Sequence, residues 1–245
     1  MATKQRTKPA AKTSSASSSA ISIQGSTKIV TEFFEFSVNT QVAAVLSMRT
    51  SVAEGLTRHS ILYQRGLYPP EDFKMVKKYG LNMLVSSDDS LVAYLRKIMS
   101  QLNNWLMAGK VSRLVMAIIS KETRQVLERW QFEISLEGGE QGEETKENQP
   151  SEHALKKEKT EKEIHAEIQA IIRQITASVT FLPVIEEKCS FNILVYTGQD
   201  TEVPNQWQED DAHMISGTAE QVRLRSFATS VHKVDALVAY RLGED

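Results

Sequence analysis

Between Lys162 and Pro183 the chain reads KEIHAEIQAIIRQITASVTFLP, a stretch that leaves little freedom in how its surroundings must fold. At about 100° per residue, Ile164, Ile168, Ile171, Ile172, Ile175 and Val179 fall on one stripe, the pattern of a helix laid against a core. The helix is expected to start near Ser151, with Glu152/Lys156 and Glu158/Lys162 pairs supporting a solvated first half. The side away from the isoleucines carries Ala170, Arg173, Gln174, Ala177, Thr180 and Phe181. Aromatic rings and arginines are enriched where proteins dock, so this face reads as a docking surface. The competing reading is a helix that has already ended at Phe181, since Pro183 comes two residues later.

An isoleucine stripe needs a core to lie on. A chain of 245 residues, 41% hydrophobic and 24% charged, can build one. The net charge of −2 provides no basic field for nucleic acid. No apolar run reaches the roughly 20 residues that span a bilayer, and no signal-peptide pattern opens the chain. Neither nucleic acid nor membrane is therefore an expected partner. Cys189 is the single cysteine, so no internal disulfide can form, and a reducing compartment is expected. Residues 1–20 lack acids and large apolar side chains apart from Met1; they are expected to be a disordered basic, Ser-rich tail, a handle for another protein rather than a transit peptide.

From there Ser26 is the candidate N-cap of a helix whose Ile29, Val30, Phe33, Phe34, Phe36 and Val38 cover most of its circumference, predicting a central, buried element. Phe73–Val85 reads as a short mixed segment. Ser87-Asp88-Asp89 caps a second amphipathic helix that runs through Trp105 and ends at Gly109. Leu114–Ile119 is continuously apolar, and Val126–Leu136 alternates, with Trp130, Phe132, Ile134 and Leu136 on one side and Arg129, Gln131, Glu133 and Ser135 on the other. Together they predict a hairpin. Residues 137–150 read as a Gly- and Glu-rich loop, and Cys189–Tyr196 as another strand. From Thr197 the chain is polar and turn-rich, with Trp207 isolated among acids, and it returns to short strand patterns at Val222–Phe227 and Thr229–Leu242. The last fifty residues thus read as a long excursion with edge strands attached, which either closes the fold or moves.

Catalytic chemistry finds no foothold. No phosphate-cradling glycine motif succeeds a strand, the five histidines are scattered, and no two of them stand at metal-ligand spacing. Cys189 lies in an apolar strand pattern and reads as a plain buried cysteine rather than a nucleophile. No enzyme activity, metal or cofactor is expected. Trp207 reads equally as a loop anchor or as a contact to a captured peptide.

The strings EFFEFSVN, SILYQRGLYP, VLERWQFEI, IIRQITASVTFLP, QVRLRSF and VHKV with LVAYR after it resemble the mitotic-arrest-deficient members of the HORMA-domain family, which serve the spindle assembly checkpoint. The resemblance covers nearly the whole chain apart from the tail and residues 40–59. It implies an α+β fold: a HORMA domain over residues 21–245, with three helices packed on a central antiparallel sheet and a mobile C-terminal seat belt, residues 197–245, that changes place between an open and a closed form. In the closed form the belt locks around a partner's short peptide, which adds as a strand to the sheet edge.

The implied partners are peptides of the anaphase-promoting complex activator and of the kinetochore checkpoint receptor, a second copy in the opposite conformer, and a checkpoint-silencing HORMA-like adaptor with an AAA+ remodeller. The implied locations are nucleus, kinetochore, spindle and cytoplasm. By motif, Arg173, Gln174, Phe181 and Arg225 match the dimer surface. Trp207, Val222 and Leu224 match the seat belt near the captured peptide, and Ile23 and Val234 match positions that set the conformer balance. A HORMA adaptor of DNA repair or of the meiotic axis is the alternative reading.

Residues 40–59 depart from the family, in which the equivalents of Asn39 and Ser60 adjoin in one helix. An in-line helical insert would lengthen that helix by about 30 Å and rotate the chain beyond it by about 200°. Residues 40–59 are therefore expected to be extruded as a loop or hairpin, or to be translated intron sequence.

Overall fold

The structure, a computed structural model, describes residues 21–39, 65, 67, 70–137 and 159–242. The expectations for the tail 1–20, for residues 40–59, for the loop beyond residue 137 and for the helix before Lys159 lie outside the described residues. Helix α1 (Ile23–Asn39) opens with Ser22, whose Oγ accepts the Gly25 N–H at 3.1 Å. Ser26, expected as the cap, sits inside the helix instead, because Ser22 already satisfies an orphan donor. The Ser26 hydroxyl is buried, 2.6 Å from Thr229 Oγ1 and 2.7 Å from His232 Nδ1, and it fastens α1 to the C-terminal strands.

Phe73–Val85 is not irregular: β1 (Phe73–Lys78) and β2 (Leu81–Ser86) form an antiparallel hairpin. Its two-residue turn, Tyr79-Gly80, has φ of 50° and 70°, and positive φ at both central positions matches the twist of the flanking strands. Helix α2 (Asp89–Met107) has the predicted limits. Asp88 Oδ1 accepts the Leu91 N–H at 2.7 Å, and at the other end Gly109 (φ +64°) donates to the Leu106 carbonyl while Lys110 donates to that of Trp105. Those two bonds close the helix in the Schellman pattern.

Helix α3 (Glu161–Ala177) starts about ten residues later than expected. Thr160 and Glu163 form a reciprocal capping box, side chain to backbone in both directions, which pins the N-terminus there. Ile164, Ile168, Ile171, Ile172 and Ile175 are buried as the stripe requires.

The main sheet has the order β5-β3-β4-β7-β6, all neighbours antiparallel, with β3 (Val111–Ser120), β4 (Val126–Leu136), β5 (Cys189–Thr197), β6 (Ala219–Ala228) and β7 (His232–Arg241). The predicted β3–β4 hairpin is present. Strand β7, expected as an edge strand, instead lies between β4 and β6 and pairs with β4 from Glu128↔Tyr240 to Leu136↔His232. Its inward row, His232, Val234, Ala236 and Val238, is buried against the core, and pairing on both sides completes its backbone hydrogen bonds. The polar row of β4 is likewise covered at Arg129 and Gln131, whereas Leu136, expected inward, is exposed at the strand end.

Among the described residues three α-helices cover one face of this sheet, as the α+β expectation had it. The core between them centres on aromatic rings, with Phe33 4.9 Å from Phe227 and 5.7 Å from Phe132, and Phe34 5.4 Å from Phe132. Edge-to-face rings at such separations add about 0.5–1.5 kcal/mol per pair beyond area burial.

Candidate functional site: a roofed sheet edge

Because β5 ends the sheet and pairs only with β3 among the described residues, its outer edge presents backbone donors and acceptors without a ladder partner. An open edge of this kind is a template for an extended chain. Residues 198–218 leave the end of β5 and pass over that edge as a strap without helix or strand. Gly198 donates to the Lys110 carbonyl at 3.2 Å, and Trp105 Nε1 of α2 donates to the Glu202 carbonyl at 3.2 Å. The Trp207 ring then meets that of Trp105 edge-on at 4.9 Å. Beyond it, Asn192 of β5 donates to Asp210 Oδ2 at 2.6 Å.

The strap, β5 and α2 border an open channel of about 1470 Å³. Tyr94, Ile98, Gln101 and Trp105 line it from α2, residues 192–197 from β5, and much of 198–212 from the strap. Arg96 and Lys97 stand on the α2 side and Glu209, Asp210 and Asp211 on the strap side, so the channel has walls of opposite charge. A groove with mixed apolar and charged walls beside an unpaired strand edge suits a peptide rather than a reacting small molecule.

Of the residues expected at the seat belt, Trp207 is in this wall. Val222 and Leu224 are not: they are half-buried on β6, at the far edge of the sheet, because the β6–β7 hairpin is attached through β7 to β4. Of the four expected dimer-surface residues, Gln174 and Arg225 are in direct contact. Gln174 Oε1 accepts the Arg225 N–H at 2.6 Å, Arg173 and Arg225 are exposed, and Phe181 is 42% exposed with its ring 6.2 Å from that of Tyr240. Of the expected conformer-balance residues, Val234 is fully buried, whereas Ile23 is 53% exposed and it is Ile21 that packs on the core.

Two residues of the roofed edge escape a reading of the sequence. Trp105 looks like one more core position of α2, and Asn192 like an ordinary polar residue of an alternating strand. No local signal identifies Asn192, whose partners lie 18 and 21 residues away. Cys189 is buried and unpaired; burial, with Glu187 nearby, pushes its thiol up to about 11, the opposite of what a nucleophile needs. Among the described residues no cluster of His, Cys, Asp and Glu is arranged to hold a metal ion, and no helix is long and apolar enough to cross a membrane.

Comparison with known proteins agrees with the architecture. The HORMA domain matches residues 26–232. The chain is 46% identical over 230 residues to the mitotic spindle assembly checkpoint protein MAD2A of Dictyostelium discoideum, covering 94% of this chain and 98% of the relative. It is 42% identical over 222 residues to MAD2A of Homo sapiens, covering 91% and 93%. Among solved structures, one chain of the crystal structure of the Mitotic Checkpoint Complex superimposes with a TM-score of 0.69 at 44% identity, covering 89% of this chain and 99% of that one. The chain belongs to the HORMA-domain family, within its mitotic spindle-checkpoint MAD2 branch.

Proposed function

We propose that this protein is a peptide-trapping switch of the spindle assembly checkpoint: a partner's short segment adds as a strand to the free edge of β5 and is held there by the strap 198–218. The observation that supports the reading is the roofed edge itself, an unpaired strand under a segment fastened at Trp207 on one side and Asn192 on the other. Backbone hydrogen bonds of the added strand give affinity that tolerates sequence variation, and entrapment slows release. The β6–β7 hairpin on the β4 side, with the β5 edge left open, corresponds to the closed form.

The relatives' names and the checkpoint complex point to mitotic partners, and we assign as captured segments those of the anaphase-promoting complex activator and of the kinetochore checkpoint receptor. Release by a HORMA-like adaptor and an AAA+ remodeller, and residence at kinetochore, spindle, nucleus and cytoplasm, belong to the same reading. The protein acts by binding, without catalysis.

Trp207→Ala should shorten capture. The substitution removes a half-buried aromatic contact worth roughly 1.5–3 kcal/mol, so the dissociation rate of a fluorescent activator peptide is expected to rise about 10- to 100-fold. Stopped-flow displacement reads this directly, and an unchanged rate would count against the strap as the retaining element.

The Arg173, Gln174, Phe181 and Arg225 surface is proposed as the site where open and closed copies meet. Arg173→Glu reverses an exposed charge on α3 far from the channel, and size exclusion should give a monomer that still captures peptide. A mutant that still elutes as a dimer would reject the assignment.

A further inference from the structure

On β5, Phe191 faces α2, where its ring lies 6.1 Å from that of Tyr94, so the adjacent Asn192 points to the opposite face of the sheet. The strap is thus fastened on both sides of the edge it crosses: by Trp207 against Trp105 on the helix side, and by Asn192 on the other. The second attachment has a defined geometry. Asn192 Oδ1 accepts the N–H of Ile193 at 3.0 Å, which orients the amide so that its NH2 group faces the strap. That group lies 2.6 Å from Asp210 Oδ2 and 3.1 Å from His213 Nε2. The other carboxylate oxygen, Asp210 Oδ1, accepts the N–H of Asp211 at 2.8 Å. The N–H of Asp211, with His213 and Asn192, holds the Asp210 carboxyl below its ordinary range, so it remains an acceptor. His213 reaches the cluster from a left-handed backbone (φ +47°), a conformation that favours a side chain able to bond locally.

We propose that Asn192, Asp210 and His213 form the clasp that closes the strap over a captured peptide and sets how long the peptide is held; this rests on the capture reading above. The amide is the donor and the carboxylate the acceptor, and the strap's run of Glu209, Asp210 and Asp211 makes that polarity essential. A carboxylate at 192 would face a carboxylate at 210 and drive the strap off the strand. Opening this side leaves the middle of the strap held only on the helix side, by Trp207 against Trp105 and by the Trp105 bond to the Glu202 carbonyl, so a peptide can leave sideways without unpairing the β6–β7 hairpin. The clasp residues are positioning residues: they act on the peptide by holding the strap.

The test uses the full chain and a fluorescein-labelled synthetic peptide selected on it from a random-sequence library. Asn192→Asp is expected to raise the dissociation rate roughly tenfold or more, and Asp210→Asn, at an exposed strap position, several-fold. The double variant N192D/D210N exchanges donor and acceptor and should return the rate to within about threefold of the unaltered chain, a coupling a general loss of folding cannot produce.

Single variants that release peptide at the unaltered rate would overturn the clasp, as would a double variant no slower than Asn192→Asp alone. If the library yields no peptide retained by the unaltered chain, it is the capture reading that fails. Retention by the unaltered chain with unchanged rates in both single variants rejects the clasp alone.

Discussion

Deleting residues 236–245 is expected to abolish peptide capture. Strand β7 joins β6 to the rest of the sheet, and the deletion removes the partners of Glu128 through Phe132 on β4 and of Ala219 through Arg223 on β6. It also removes the buried side chains of Ala236, Val238, Ala239 and Tyr240, and with them the Leu242 N–H that donates to the Thr218 carbonyl at 3.1 Å. Burial of that much apolar surface is worth about 5 kcal/mol or more, comparable with the whole stability of many domains. Thr218 is where the strap ends and β6 begins, so the strap would lose its far anchor even in molecules that keep the α1–α3 core. The retained fraction of labelled activator peptide after size exclusion should fall below detection, a loss of at least about 100-fold in affinity. Undiminished retention would mean that the strap does not depend on the hairpin.

The features legible in the sequence are the local ones. Asp88 and Gly109 mark the ends of α2 because a cap acts within one helical turn, and the isoleucines of α3 share a face whatever lies above them. The β3–β4 hairpin stems from two apolar patterns that adjoin in the chain. The capping box at Thr160 and Glu163 is equally local and readable, but the ion-pair spacings before it suggest a helix that begins earlier. The β1–β2 hairpin is obscured because FKMVKK puts three lysines in a small sheet with one solvated face.

The rest depends on pairings that no window of sequence contains. Whether β7 lies beside β4 or at an edge is decided by contacts across about a hundred residues, and both arrangements satisfy its alternation. The same limit applies to the candidate site. Trp207 stands out as an aromatic residue among acids, but its partner Trp105 is one of several apolar residues on α2. Resemblance assigns Val222 and Leu224 to the channel through a region that changes position, and the structure puts them at the opposite edge.

Arg65→Met is expected to destabilise the fold by about 3–5 kcal/mol at neutral pH, because it strands the buried carboxylate of Glu128. The side chains of the pair are 3% and 2% exposed, and Arg65 Nη2 contacts both Glu128 and the carbonyl of Pro183. One guanidinium therefore ties the segment before β1 to β4 and to the chain leaving α3. Burial pushes the Glu128 carboxyl up from its ordinary range, while Arg65 and the Trp130 indole, which donates to Glu128 Oε2 at 3.2 Å, pull it back. Removing Arg65 deletes the larger of those opposing influences and raises the folded-state pKa further. A carboxyl raised in the folded state contributes its full stability below the unfolded value, near 4.3, and loses it as pH rises through the folded value. The deficit of Arg65→Met relative to the unaltered chain should therefore shrink on acidification, as Glu128 takes up a proton and becomes neutral. Adding Glu128→Leu to Arg65→Met should recover most of the loss at neutral pH, since a buried ion pair replaced by apolar groups of similar volume is often neutral or stabilising. Urea denaturation of the single and double variants at pH 7.5 and pH 5 measures both effects, and a deficit that does not vary with pH would show that the pair acts through packing rather than charge.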